Sequence, residues 1–278
     1  MNAVKTVVIT GGNTGIGLAT AKQIAQRGAR VILACRDQNK ASAAREQILQ
    51  AAPTAAVEIY ALDLASFDSI RSFAEKVMQD HPAIDVLINN AGAYPVRQQY
   101  TREGFELQFG VNYLGHFLLT HLLLPALAAA GSARIVHLSS IMHNLGKLNF
   151  GSFKGRQHYS GTAAYAQSKL ANAMFNADLA RRLPTNITTN AVHPGGVESD
   201  IYREMPGWVY RILKLFLITP DRAAFLISDM ALGDNWSGRN GEFKSAHGPL
   251  PIAKAVKDKE LCDMLYDESC RLTKVKPL

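Results

Sequence analysis

Tyr165 and Lys169 stand at i and i+4, so a helix carries both on one face. A free tyrosine ionises near pH 10 and is a poor proton-transfer group at neutral pH. A neighbouring ammonium favours the phenolate and makes it usable as a general acid and base. On its own a Tyr-x-x-x-Lys pair is common on helix surfaces, but here it has ordered company. Upstream lie Thr10-Gly11-Gly12-Asn13-Thr14-Gly15-Ile16-Gly17, Asn89-Asn90-Ala91-Gly92, Asn112 and Ser139-Ser140; downstream lies His193-Pro194-Gly195-Gly196-Val197. Glycines in the first of these permit a tight turn and let backbone N–H groups approach a pyrophosphate. Ser139-Ser140 closes a run of β-branched residues, where a hydroxyl can donate to a substrate oxygen that gains charge. The set combines a dinucleotide cradle with a proton-transfer centre.

Short β-branched runs and helical periods must position these groups. Strands are predicted at 4–10, 30–35, 57–61, 84–88, 134–139 and 187–192, and helices at 15–28, 38–51, 67–79, 104–129 and 162–182. Strand and helix in series argue a parallel sheet covered on both faces. Such sheets bind ligands beyond the carboxyl ends of their strands, and each motif falls at such an end or on the helix after it. At the end of the second strand an acidic residue would accept a bond from a ribose 2′-hydroxyl. Cys35 stands there with Arg36 next to it, and a guanidinium suits a 2′-phosphate, so NADP(H) is the expected cofactor with Arg36 as its reader. Asp37 could reach a 2′-hydroxyl or cap a helix, and the cap is the preferred reading. Asp63, after the third strand, has a capping reading too, with Ser66 nearby.

The chain has 278 residues, 47% hydrophobic and 19% charged, which suits a soluble α/β domain with a large core. The formal net charge of +7 attracts phosphorylated ligands, but no dense basic block with interleaved aromatics points to nucleic acid. No stretch of about 18 uncharged apolar residues is evident, so no membrane span is expected. Residues 117–131 form the longest candidate and read as a buried helix. The sequence opens directly on a strand, which predicts a cytoplasmic protein. Cys35, Cys262 and Cys270 lack metal-site spacing and read as reduced structural thiols, and nothing implies a metal. Two segments exceed ordinary loop length, at about 141–161 and 198–219, and long loops are often functional. In the second, Trp208, Ile212, Leu215 and Phe216 follow helical spacing. That patch can be a lid over an apolar substrate, a core helix, or a membrane-surface helix allowing peripheral contact.

These motifs resemble the short-chain dehydrogenase/reductase family: Gly11-x-x-x-Gly15-x-Gly17, Asn89-Asn90-Ala91-Gly92, Ser140, Tyr165-x-x-x-Lys169 and Pro194-Gly195. Leu33-Ala34-Cys35-Arg36-Asp37, Gly146-Lys147, Ser168-Lys169-Leu170-Ala171-Asn172 and the length of segment 140–165 resemble its retinol dehydrogenase-like branch. The resemblance implies one domain over residues 1–278, a Rossmann-type doubly wound parallel sheet flanked by helices on both faces. It implies a catalytic set of Asn112, Ser140, Tyr165 and Lys169, with Asn112 as a helix-kinking residue that holds a water against the lysine. Asn13, Thr14 and Ile16 would join the glycines around the pyrophosphate, and Asp63 and Leu64 would face the adenine. Asn89 and Ala91 would contact the adenosine ribose region, and Pro194, Gly195 and the Val197 backbone would hold the nicotinamide end. Homo-oligomerisation through 104–129 and 162–182 is implied as well, unless the 141–161 insertion blocks that face. The expected activity interconverts a carbonyl and an alcohol on a bulky, mostly apolar small molecule (retinoid, steroid, terpenoid or polyketide-like) over which Trp208, Ile212 and Phe216 close. The alternatives are reduction of a carbon–carbon double bond on the same scaffold and a non-catalytic NADP(H) sensor.

Overall fold

Successive side chains of a strand point to opposite faces, and both faces of the first strand are apolar. Val7 and Ile9 enter one core and Val8 the other, all fully buried. The computed structural model describes residues 4–196 and 219–278. Its strands are β1 (Thr6–Thr10), β2 (Arg30–Cys35), β3 (Val57–Ala61), β4 (Val86–Asn89), β5 (Ala133–Leu138), β6 (Ile187–His193) and β7 (Phe243–Ser245). They form a 7-stranded sheet in the order β3-β2-β1-β4-β5-β6-β7, with every pairing parallel. The chain runs outward from β1 to β3, then returns to place β4 against the other side of β1. The carboxyl ends of β1 and β4 therefore flank the point where strand order reverses, where such sheets form a crevice.

Helices α1 (Gly15–Gln26), α2 (Gln38–Ala51) and α6 (Pro220–Leu232) cover one face through Ile24, Ile48 and Ile227. The other face carries α3 (Phe67–Asp80), α4 (Leu107–Ala129), α5 (Gly161–Arg182) and, after the short α7 (Lys254–Lys257), α8 (Lys259–Thr273). Phe73, Phe117, Leu170 and Leu265 meet there. α4 contains a π turn at Gly110–Leu114 with Asn112 at its centre. Glu106 starts the helix, its carboxylate accepting from the Gln108 and Phe109 N–H groups.

The described elements match the expected strands and helices to within a few residues at their ends, and add β7, α6, α7 and α8. β7 has 3 residues, too few to show a period. α4 spans 23 residues and holds a window with a mean hydropathy of 1.3, so it is long and apolar enough to cross a membrane by length and composition alone. Within the fold 72% of that window is buried, as expected of a core helix.

Candidate active site

The site is assembled where β1 hands over to α1. Thr10 ends β1, and its Oγ1 accepts from the Asn90 N–H at 2.9 Å and the Ala91 N–H at 3.0 Å. The Asn90 amide returns the tie, donating to the Thr10 and Gly11 carbonyls at 2.7 and 3.2 Å. Asn90, the residue after β4, thus holds the glycine turn after β1. Gly11 and Gly15 have φ of +64° and +53°, a region that side chains disfavour. A Cβ at Gly17 would collide with the Gly11 carbonyl and the Asn90 amide, so only glycine lets α1 start this close to the turn. Thr14 caps α1 without a side-chain hydrogen bond to the first turn, and Asn13 through Gly17 line the adjacent cleft. A glycine turn leading into the positive end of a helix fits a pyrophosphate.

The cleft, of about 540 Å³, follows the carboxyl edge of the sheet. At one end lie Arg36, Asp37 and Lys40 after β2, and Asp63 and Leu64 after β3. Asp37 caps α2, accepting from the Lys40 N–H at 3.0 Å, which leaves Arg36 exposed beside it. Ser66, and not Asp63, caps α3; the Asp63 carboxylate closes a local turn onto the Ala65 N–H at 3.0 Å. Burial pushes the Cys35 thiol up to about 11, so it stays neutral in the wall of this end.

At the other end lie Ser139, Tyr165, Lys169 and Pro194. Lys169 is 5% exposed, and its Nζ donates to the Leu138 carbonyl at 2.9 Å, 5.5 Å from the centre of the Tyr165 ring. Burial lowers this ammonium to about 8. Ser139 Oγ donates to the Lys169 carbonyl at 2.9 Å and so ties β5 to α5. Ser140 is buried, and its Oγ accepts from the Met142 N–H at 3.3 Å to start a turn at Ile141–Leu145. Asn112 is fully buried, and its Oδ1 accepts from the Ala93 N–H at 2.7 Å. Its Nδ2 donates to the Ala93 carbonyl at 3.1 Å and to Ser168 Oγ at 3.0 Å, while Ser168 donates to the Tyr165 carbonyl at 2.8 Å. The π turn thus braces both the loop after Gly92 and the helical turn that carries the tyrosine.

This arrangement can hold an extended nucleotide and move a proton at its far end. A family model described as short chain dehydrogenase matches residues 5–209. The chain belongs to the short-chain dehydrogenase family. It is 41% identical to human retinol dehydrogenase 11 over 272 residues, covering 96% of this chain and 85% of that one. Human retinol dehydrogenase 13 is 40% identical over 278 residues, with 96% and 84% covered. An uncharacterized protein of Mycobacterium paratuberculosis, solved by crystallography, superposes with a TM-score of 0.80 at 36% identity, covering 99% and 96% of the two chains. Members of this family act with a nicotinamide cofactor, and the residues here fit one: the glycine cradle, a cleft of about 540 Å³ and a lysine–tyrosine pair at its end.

Gly11, Asn13, Thr14, Gly15, Ile16, Gly17, Arg36, Asp63, Leu64, Ala91, Tyr165, Lys169 and Pro194 all border the cleft. Gly195 follows Pro194 with φ of +95°. The Asn89 side chain turns away, donating to Thr120 Oγ1 at 3.0 Å in the buried interior. Asn112 is fully buried behind the cleft, and Ser140, 8% exposed, directly follows Ser139 of its lining. Val197, Trp208, Ile212, Leu215 and Phe216 lie outside the described residues. Sequence reasoning passed over Thr10, Tyr94, Lys40 and the bracing role of Ser168. Thr10 and Ser168 stand inside quoted motifs and carried a signal; Lys40 and Tyr94 had none.

Proposed function

We propose that the protein interconverts a carbonyl and an alcohol on a bulky, mostly apolar substrate with NADP(H). The observation that carries this reading is Tyr165 and Lys169 at one end of a cleft whose other end presents Arg36. When bound, the nicotinamide supplies or takes up the hydride. The glycine turn and the first turn of α1 bind the pyrophosphate. Arg36, with Lys40 beside it, reads the 2′-phosphate, while Asp37 is engaged by its own helix. Asp63, Leu64, Ala91, Pro194, Gly195 and Val197 complete the cofactor contacts.

In the reducing direction Tyr165 donates its phenolic proton to the oxygen that gains charge, and Ser140 donates a hydrogen bond to the same atom. Lys169, charged below about pH 8, favours the phenolate left behind. Asn112 serves this chemistry by holding Ala93 and Ser168, since its amide is engaged at both ends. The apolar substrate class is supported by kinship with proteins named for retinol, and by the spacing of Trp208, Ile212 and Phe216. NADPH consumption with a panel of large lipophilic ketones and aldehydes tests the reading. Tyr165→Phe should lower kcat by about 10²–10⁴-fold while cofactor binding persists. Retention of most of the rate, or turnover only of carbon–carbon double bonds, would overturn it.

A further inference from the structure

Tyr94 lies two residues beyond Gly92, at the Tyr165 end of the cleft. The two rings are 5.1 Å apart at 73°, an edge-to-face pair. The Tyr94 hydroxyl shares a 2.9 Å hydrogen bond with Thr162 Oγ1, three residues before Tyr165 on α5. The backbone just before it is pinned: Asn112 grips the N–H and carbonyl of Ala93 at 2.7 and 3.1 Å. A ring tied at its hydroxyl and at the preceding residue cannot turn aside without breaking these bonds, so it forms a wall. Tyr165 already has Lys169 Nζ 5.5 Å from its ring centre. A substrate oxygen that reaches the phenol brings the adjoining part of the substrate alongside Tyr94.

What a rigid aromatic wall rewards is flatness. A conjugated chain or a fused ring next to the reacting carbon can lie against it with full van der Waals contact and favourable quadrupole geometry. A saturated chain of the same length is puckered and touches it at fewer points. We propose that Tyr94 is a specificity-determining residue that selects substrates carrying a flat, unsaturated or fused-ring group beside the carbonyl or alcohol carbon. The proposal rests on the carbonyl–alcohol reading of the site.

The experiment compares a conjugated polyenal with the saturated aldehyde of equal length, with NADPH, in the wild type, Tyr94→Phe and Tyr94→Ala. Binding of the conjugated alcohol to the NADP-loaded proteins is measured in parallel by equilibrium dialysis. In Tyr94→Ala the ratio of kcat/KM values, conjugated over saturated, should fall about tenfold, chiefly through KM. Tyr94→Phe, which keeps the ring but loses its tie to Thr162, should retain most of the preference and lose less of it than Tyr94→Ala. An equal fall for both aldehydes in kcat, with a displaced pH–rate profile, would show that Tyr94 only positions Tyr165 and would overturn the proposal; so would an unchanged ratio. If the wild type reduces neither aldehyde, the carbonyl reading fails and dialysis decides. Tyr94-dependent binding of the polyene then upholds the wall, and binding that ignores Tyr94, or no binding, removes it.

Discussion

Arg36 and Asp37 are neighbours in sequence with different employment. The Asp37 carboxylate holds the Lys40 N–H at the start of α2, which commits one of its oxygens to the helix cap. Arg36 stays exposed at the cleft with Lys40 one helical turn on. A hydrogen bond to a charged group contributes about 1.5–3 kcal/mol. Arg36→Ala should therefore raise the Kd for NADPH by roughly 10- to 150-fold and leave NADH nearly unchanged, as read by fluorescence titration. Equal loss for both cofactors would mean that the guanidinium does not read a 2′-phosphate.

Among elements, the strand–turn–helix unit β1-α1 depends on a close approach that one methyl group abolishes. Gly17→Ala drives a Cβ into the Gly11 carbonyl and the Asn90 amide that braces the turn. Overpacking of this kind costs about 1–3 kcal/mol, so a lower Tm is expected. Because the whole turn must shift, NADPH and NADH should weaken together, unlike in the Arg36 variant. A Gly17→Ala protein with unaltered Kd for both cofactors would remove the turn from the pyrophosphate. The π turn of α4 is the second device at this scale. It places one asparagine where it can brace a loop and a neighbouring helix at once.

The molecule as a whole seals its long helices with its own carboxyl-terminal helix. His121 Nε2 meets the Tyr266 hydroxyl at 2.9 Å, and Tyr113 shares a 2.7 Å hydrogen bond with Ser269. Arg182 stacks 3.9 Å over the Tyr266 ring and reaches Asp263 at 2.7 Å. With α8 and the Phe150–Ser152 turn packed there, a monomeric mass near 30.3 kDa is expected by light scattering at micromolar concentration. A stable dimer mass would show that another face self-associates. Burial also lowers His116 and His121 to about 4 and His137 to about 3 from an ordinary 6.5. The unfolded chain protonates these imidazoles as pH falls below 6.5, whereas the folded chain resists until near 4. The unfolded state thus binds more protons in that window, and stability falls on acidification from 6.5 toward 4. Each imidazole costs up to about 1.4 kcal/mol per pH unit. Thermal melts from pH 7 to 4 should show the decline, and His137→Gln should make it shallower; an identical slope in the variant would assign it to carboxylates.

Local rules made much of this protein legible from residues alone. Alternating β-branched runs and helical periods marked six strands and five helices because each buries apolar side chains at its own period. The glycine spacing marked a phosphate turn because few other residues accept positive φ. Tyr165 and Lys169 declared their shared face through i, i+4 geometry. Tertiary packing decided the rest. A β7 of 3 residues has no period of its own and exists through pairing with β6. Asn89 and Asn90 are adjacent and alike, yet one enters the core toward Thr120 and the other binds the glycine turn, because neighbouring strand positions face opposite ways. Asn112 could be marked as a kink, but its grip on Ala93 and Ser168 needed two distant segments brought to it. Tyr94 carried no signal in sequence at all. Its placement against Tyr165 arises because the loop after β4 and the first turn of α5 converge at the end of the sheet, a contact that long-range packing alone creates.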